Sequence, residues 1–217
     1  MKTGIIFDMD GTLWDSTENI AMSWDVVVQR EKPGLRRITT KDIQGVVGHT
    51  MKELEQMLFP MLEEKEAGEL LELCCVEENR YLSEHGGILY PQLEDTLKIL
   101  SERYPLYIVS NCQKGYIEAF LDYYQFWNYF EDMECFGNNN MGKEHNIALV
   151  VKRNCLDQAV YVGDIQGDYD SSMEAGVEFI HAAYGFGKID RPVPCIHSCA
   201  ELPQAAAEVF AKKAKGK

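Results

Sequence analysis

The second half of the chain alternates between two kinds of hydrophobic pattern. Short, continuous apolar runs are typical of buried strands, and apolar residues at helical spacing lie between them. Strands separated by helices indicate right-handed β-α-β units, and therefore a parallel sheet with helices on both faces. The pattern predicts strands at 106–109, 133–136, 159–162 and 179–182, the last of them closing the sheet, and helices at 93–104, 117–124, 147–151, 168–175 and 202–214.

The first apolar run, residues 5–7, is separated from those strands by a long helical stretch. Apolar residues recur at helical spacing over 20–28, and the pattern stays helical to about residue 86. We therefore predict an α/β fold, in which a doubly wound parallel sheet of residues 1–15 and 87–217 is interrupted by a small α-helical domain of residues 16–86.

Composition and charge limit the classes of function. The 217 residues are 46% hydrophobic, enough for a sizeable core, and carry a formal net charge of −14. Such a charge argues against binding to nucleic acid and to anionic membranes, which require basic surfaces. Seven scattered cysteines favour a reducing compartment, with the cytoplasm as the simplest choice. No apolar run is long enough to span a bilayer, and nothing in the sequence indicates an oligomeric state.

Two carboxylates follow the first predicted strand directly. Asp8 and Asp10 lie where the strand ends, followed by Gly11, which permits a sharp turn, and by Thr12, which offers a hydroxyl. In open α/β sheets, ligands bind at the carboxyl ends of the strands, so this position favours a metal or proton-transfer site. A polar turn after a strand is the alternative, since Asp and Gly are common turn residues.

Polar groups also follow the next strand. Ser110 and Asn111 could donate hydrogen bonds to an oxyanion, although both are ordinary turn formers. Lys143 lies at the start of a predicted helix, where the helix dipole does not favour a basic residue, so it is either a functional cation or a solvated surface lysine.

A second pair of acids follows the strand at 159–162. Asp164 comes after the strand, and Asp168 lies near the start of the next helix, where it could also be a simple helix N-terminal acid. Hard divalent ions such as Mg²⁺ prefer oxygen ligands and keep several waters. Asp8, Asp164 and a main-chain carbonyl would therefore suffice as protein ligands for Mg²⁺.

Together, these segments resemble the four motifs of the haloacid dehalogenase superfamily of phosphohydrolases. The motifs occur in order as Asp8-Met9-Asp10-Gly11-Thr12, Ser110, Lys143, and Gly163-Asp164 to Asp168. The helical insert resembles the small α-helical cap called C1, as in phosphoglycolate-phosphatase-like and β-phosphoglucomutase-like members. One departure is the sequence after Lys143, where many relatives have a proline-rich stretch.

The resemblance implies a mechanism and a role for each residue. Asp8 would form an aspartyl-phosphate, and Asp10 would act as general acid and base. Mg²⁺ would be held by Asp8, the Asp10 carbonyl and Asp164. The remaining roles are the binding of phosphate oxygens by Lys143, Ser110, Thr12 and Asn111, and the orientation of Lys143 or of the metal's water shell by Asp168.

The expected substrate is a small phosphorylated metabolite, similar to phosphoglycolate or a sugar phosphate. Substrate choice is expected in the cap, where the segment 44–50 contains two glycines and His49, a candidate contact for a polar or anionic group. Two alternatives to a phosphatase stay open: a phosphomutase, and a non-catalytic module that binds a phosphorylated ligand or a protein on the same fold.

Overall fold

A computed structural model describes residues 2–215, with side chains as far as residue 212. Its centre is a six-stranded sheet in the order β5-β4-β1-β6-β7-β8, and every neighbouring pair is parallel. The predicted α/β class with a parallel sheet is therefore confirmed. The strands are β1 (Thr3–Phe7), β4 (Leu106–Ser110), β5 (Phe130–Cys135), β6 (Gln158–Gly163), β7 (Glu178–Ala182) and β8 (Cys195–Ile196).

The sheet is wound on both faces because its central strands are apolar on both sides. In β1, Ile5 and Phe7 pack into one hydrophobic cluster, while Ile6 between them packs into a second on the other face. The helices of the core that cover the sheet are α5 (Leu93–Ser101), α6 (Tyr116–Tyr124), α7 (Phe136–Asn139), α8 (Lys143–Arg153), α9 (Gln166–Glu174) and α10 (Leu202–Lys215).

Four helices lie between β1 and α5, as the long helical pattern predicted. They are α1 (Thr17–Glu31), α2 (Thr40–Gln44), α3 (Met51–Leu58) and α4 (Glu64–His85). Thr39 and Thr50 begin α2 and α3 through reciprocal capping boxes with Asp42 and Glu53. α1 packs against α4, and α4 packs in turn against α6 of the core. None of the helices within residues 2–215 is long and apolar enough to cross a membrane.

The chain enters and leaves this helical segment through a two-stranded ribbon. β2 (Trp14–Asp15) pairs antiparallel with β3 (Ile88–Leu89), so that Trp14 lies opposite Leu89. The division into residues 1–15 and 87–217 on one side and 16–86 on the other stays a prediction.

The sequence pattern was wrong in several details. The strand at 179–182 is not the last, because β8 pairs with β7 beyond it. Phe136 begins a helix rather than ending a strand, the helix predicted at 93–104 ends at Ser101, and the one predicted at 168–175 begins at Gln166. β8 and the β2-β3 ribbon contain strands of only two residues, which are too short to show a periodic pattern.

Candidate active site

The ends of the central strands bring three carboxylates together. Asp8 follows β1 and Asp164 follows β6, and the parallel pairing of these strands puts both side chains at one edge of the sheet. Asp168 joins them from the first turn of α9. Carboxylate oxygens of these three buried residues all lie within 4.8 Å of one another. Burial raises the pKa of Asp8 and of Asp164, and the charge of Asp168 raises both further.

Lys143 supplies the positive charge in this cluster. It is the first residue of α8 and only 2% exposed. Its Nζ lies 2.8 Å from Asp8 Oδ1 and 2.5 Å from Asp168 Oδ1. Burial opposes its charge, but the two carboxylates raise the pKa of Lys143 above its usual value. The interpretation of this residue as a solvated surface lysine is therefore wrong.

Main-chain groups fix the other acids of the cluster. Asp168 Oδ2 accepts hydrogen bonds from the N–H groups of Asp164, at 2.9 Å, and Ile165, at 3.2 Å. The N–H of Phe186 donates to Asp164 Oδ2 at 2.7 Å. Asp168 thus serves both as an acid at the start of a helix and as a direct partner of Lys143, so the two sequence-based interpretations of it are compatible.

Asp10 lies apart from the three clustered carboxylates. Its Oδ1 accepts hydrogen bonds from Ser16 Oγ at 2.5 Å and from Tyr116 Oη at 2.6 Å. Burial raises the pKa of Asp10, and these two hydrogen bonds oppose the shift. A raised carboxyl pKa suits a group that must give and take a proton.

The turn after Asp10 depends on Gly11. Its φ is +78°, and an added Cβ would lie 2.1 Å from Asp164 Oδ2. A side chain at this position would therefore push the end of β1 away from the end of β6.

Two predicted phosphate-binding residues carry buried polar atoms without a partner within residues 2–215. Thr12 Oγ1 is one, and Asn111 Oδ1 is the other, while Asn111 Nδ2 donates to the carbonyl of Gly48 at 3.3 Å. Buried polar atoms are normally hydrogen-bonded, so an unpaired one indicates a missing partner. The hydroxyl of Thr12 is thus available to a ligand oxygen.

A cavity lies between the strand ends and the four inserted helices. Five of the predicted site residues line it, whereas Thr12, Lys143, Asp164 and Asp168 do not. His49 reaches the cavity wall with a side chain that is 45% exposed, and its Nδ1 lies 3.5 Å from Glu53 Oε2. The predicted residues in the lining are Asp8, Asp10, His49, Ser110 and Asn111.

Sequence reasoning missed three residues of this cavity. Tyr116 holds Asp10, while Trp24 and Glu78 form part of the wall opposite the strand ends. Only Glu78 carried a signal in the sequence, because it lies three to four residues from buried neighbours on the apolar stripe of α4, where a carboxylate is unexpected.

The donor set at the strand ends fits a hard divalent cation. It offers carboxylate oxygens and no sulfur or imidazole, which suits Mg²⁺ rather than Zn²⁺. Three carboxylates also face a single lysine in a buried place, so another cation would offset the remaining negative charge. The predicted ligands Asp8 and Asp164 belong to this cluster, whereas the Asp10 side chain points to Ser16 and Tyr116, so only its main chain is left as a ligand.

Residues 5–182 match the family model of the haloacid dehalogenase-like hydrolases. The chain belongs to this family. It is therefore a hydrolase, and the predicted resemblance is confirmed. The family match spans the strand ends that carry Asp8, Ser110 and Asp164, as well as the inserted helices.

Individual relatives of this hydrolase agree with the family match. The chain is 27% identical over 198 residues to a phosphoglycolate phosphatase from Aquifex aeolicus (strain VF5), covering 88% of this chain and 89% of the relative. It is 26% identical over 206 residues to a phosphoglycolate phosphatase from Escherichia coli O157:H7, covering 84% and 82%. A solved haloacid dehalogenase-like hydrolase from Streptococcus pneumoniae has the same fold, with a TM-score of 0.80, 24% identity and coverage of 94% and 97%.

Proposed function

We propose that this hydrolase is a Mg²⁺-dependent phosphatase that cleaves small phosphate monoesters through an aspartyl-phosphate. The observation that carries the proposal is the position of Asp8, whose carboxylate lines the cavity while Lys143 and two further acids surround it. A carboxylate held in this way is oriented toward a bound ligand and close to the positive charge that a phosphate requires. The names of the curated relatives support the same reaction class.

The chain's own residues account for both steps of hydrolysis. In the first, a carboxylate oxygen of Asp8 bonds to phosphorus while the bond from phosphorus to the ester oxygen breaks, and Asp10 gives its proton to the departing alkoxide. In the second, Asp10 takes a proton from water, whose oxygen bonds to phosphorus as the bond to Asp8 breaks. Asp10 can serve both steps because Ser16 and Tyr116 hold its carboxyl group in one orientation.

The proposed metal ligands are Asp8, the Asp10 main-chain carbonyl and Asp164. Mg²⁺ at this place supplies positive charge that offsets the repulsion between a carboxylate and a phosphate dianion. Asp168 keeps Lys143 beside Asp8 through its own ion pair with that lysine.

The remaining phosphate oxygens are assigned to four donors. Lys143 contributes charge, and the hydroxyls of Thr12 and Ser110 contribute hydrogen bonds. Asn111 adds its side chain and the N–H groups near it. The unpaired hydroxyl of Thr12 supports its part in this assignment.

We further propose that residues 16–86 form a cap that closes over the site. The cavity supports this division, because α1, the segment 44–50 and α4 form one wall while the strand ends form the other. A cap of four helices over a small cavity suits a small substrate of the phosphoglycolate or sugar-phosphate kind. His49, on the cap side of the cavity, is the proposed contact for a polar group of that substrate.

Release of phosphate from a panel of small phosphate esters tests the proposal. We expect release with Mg²⁺, loss of release on chelation with EDTA, and recovery when Mg²⁺ is added back. Glucose 1-phosphate in the same panel separates hydrolysis from isomerisation, because a phosphomutase would convert it to glucose 6-phosphate without free phosphate. Release that is unaffected by EDTA, or binding of esters without any turnover, would contradict the proposal.

A further inference from the structure

One wall of the cavity contains a buried carboxyl group that the proposed reaction does not use. Glu78 belongs to α4 and is only 3% exposed, yet it lines the same cavity as Asp8 and Asp10. It lies on the side of the inserted helices, where the alcohol part of a phosphate ester would be placed when its phosphate is at Asp8.

Within the part of the chain that the structure describes, the groups around Glu78 give it hydrogen bonds but no positive partner. Trp24 Nε1 donates to Glu78 Oε2, and the side chain of Gln113 also hydrogen-bonds to the carboxyl group. Burial raises the pKa of Glu78 to about 8, against the effect of these hydrogen bonds, and the charge of Asp10 raises it further. A buried carboxyl group of this kind is costly unless it is paired, and a ligand can supply the missing partner.

The rest of the wall is largely apolar and offers little to an anion. Within residues 2–215, no lysine or arginine lines the cavity, and His49 is its one basic group. Glu53 already lies beside that histidine. The apolar part of the wall consists of Ile20, Trp24, Ile43, Val46, Val47 and Leu54, together with Met51.

We propose that Glu78 selects the leaving group, by accepting a hydrogen bond from a hydroxyl or ammonium group on the alcohol part of the ester. In its ionised form, the same carboxyl group disfavours esters that carry a carboxylate at that place. The inference rests on the proposed phosphatase function and narrows its substrate class. It separates this chain from the activity named for its curated relatives, since phosphoglycolate carries a carboxylate one carbon from its ester oxygen.

The physical basis is whether the substrate offers Glu78 a hydrogen-bond donor or a second carboxylate. A donor on the substrate gives the ionised carboxyl group of Glu78 a further partner, so binding gains a charge-assisted hydrogen bond. A carboxylate would instead lie near both Glu78 and Asp10, with no lysine or arginine of the wall to balance it. Sites built around a buried hydrogen-bonding group discriminate more strongly than apolar pockets do.

Four phosphate esters of a two-carbon alcohol test the inference, since they differ only in the group at the far carbon. These are 2-hydroxyethyl phosphate, phosphoethanolamine, ethyl phosphate and phosphoglycolate. For the unmodified enzyme with Mg²⁺ at about pH 9, above the pKa of about 8 of Glu78, we expect the kcat/KM of the better donor ester to exceed that of ethyl phosphate by about tenfold and that of phosphoglycolate by about a hundredfold. Comparison of the two donor esters shows whether a hydroxyl or an ammonium group is preferred.

Two substitutions separate selection from a purely structural role. Glu78→Gln keeps the shape of the side chain and can still accept from Trp24, and we expect it to bring phosphoglycolate within about threefold of ethyl phosphate. Glu72→Gln on the exposed side of the same helix is the matched control and should keep the order of the unmodified enzyme. Glu78→Asp keeps the carboxyl group and should keep phosphoglycolate the poorest of the four esters.

The outcomes distinguish this inference from the function on which it rests. A preference of the unmodified enzyme for phosphoglycolate, or an unchanged order in Glu78→Gln, would overturn the role of Glu78 and leave the phosphatase function intact. Absence of phosphate release from all four esters would contradict the phosphatase function instead. Calorimetric binding of the same esters to Asp8→Asn protein with Mg²⁺ then tests Glu78 without turnover, and equal affinity for phosphoglycolate and the donor esters would reject the inference.

Discussion

The two walls of the cavity surround their buried carboxyl groups with different partners. At the strand ends, Asp8 and Asp168 share Lys143, and all three side chains are held by contacts within the protein. On the wall formed by the inserted helices, Glu78 receives hydrogen bonds from the neutral side chains of Trp24 and Gln113. The first wall thus has an ion pair within the protein, whereas in our proposal the second gains its partner from the substrate. On this difference rests our proposal that the sheet carries out the chemistry and the inserted helices select the substrate.

Removal of the nucleophile gives the largest expected effect on the wall assigned to chemistry. Asp8→Asn should lower kcat for every ester by about 10⁴-fold or more, because an amide cannot form the phospho-enzyme. Phosphate release by purified protein measures the effect, and circular dichroism checks that the fold is retained. Turnover close to that of the unmodified enzyme would show that the chemistry lies elsewhere.

Removal of the positive charge of Lys143 should leave the carboxylates at the strand ends without a positive partner. Lys143→Met leaves Asp8 and Asp168 without their shared partner, and removal of one member of a buried ion pair costs about 3–5 kcal/mol. Unfolding in urea in the presence of EDTA measures the loss, and Lys152→Met, exposed on the same helix, is the control. Equal stability of the two variants would show that the cluster does not depend on its lysine.

The unpaired carboxyl group should make stability depend on pH. The pKa of Glu78 is raised from 4.5 to about 8 in the folded protein, so the folded state keeps a proton that the unfolded chain releases. Stability should therefore fall as the pH rises from about 5 to about 8, and Glu78→Gln should remove a few kcal/mol of this dependence, since one pKa unit corresponds to about 1.4 kcal/mol. Urea unfolding of both proteins at several pH values, without metal, measures the difference; parallel curves would contradict it.

The smallest expected effect concerns the hydroxyl that holds Asp10. Tyr116→Phe removes a hydrogen bond that lowers the pKa of Asp10, so kcat/KM should fall by about tenfold and the basic limb of its pH profile, which reports the loss of the Asp10 proton, should move to higher pH. Tyr123→Phe in the same helix, where the ring is partly exposed, is the control. A profile that stays in place would indicate that Ser16 alone holds Asp10.

Much of the sheet and its edge could be predicted because short-range patterns encode them. Continuous apolar runs gave the positions of β1, β4 and β6, and polar residues directly after each run gave Asp8, Ser110 and Asp164. The parallel arrangement followed from the intervening helices, and it brings residues far apart in sequence to one edge. Lys143 was harder, since its burial follows from two partners on other elements.

The opposite wall could not be predicted because helical periodicity does not show what a helix faces. The spacing of α4 indicated a buried stripe, but it did not reveal that Glu78 on that stripe meets Trp24 of α1 beside the cavity. Tyr116 was missed for a similar reason, as its hydroxyl reaches Asp10 only in the folded chain. The wall formed by the inserted helices therefore depends more on contacts between distant elements than the strand ends do, and it is harder to predict from the sequence.

The β2-β3 ribbon has a consequence for how such an enzyme can diversify. Because Asp15 and Ile88 are paired, the two ends of the helical segment lie side by side, at the spacing of adjacent strands, about 4.8 Å. A different segment could be grafted onto these two ends without rerouting the sheet or moving the acids at its edge. The packing of α4 against α6 is then the contact that a new segment would have to reproduce.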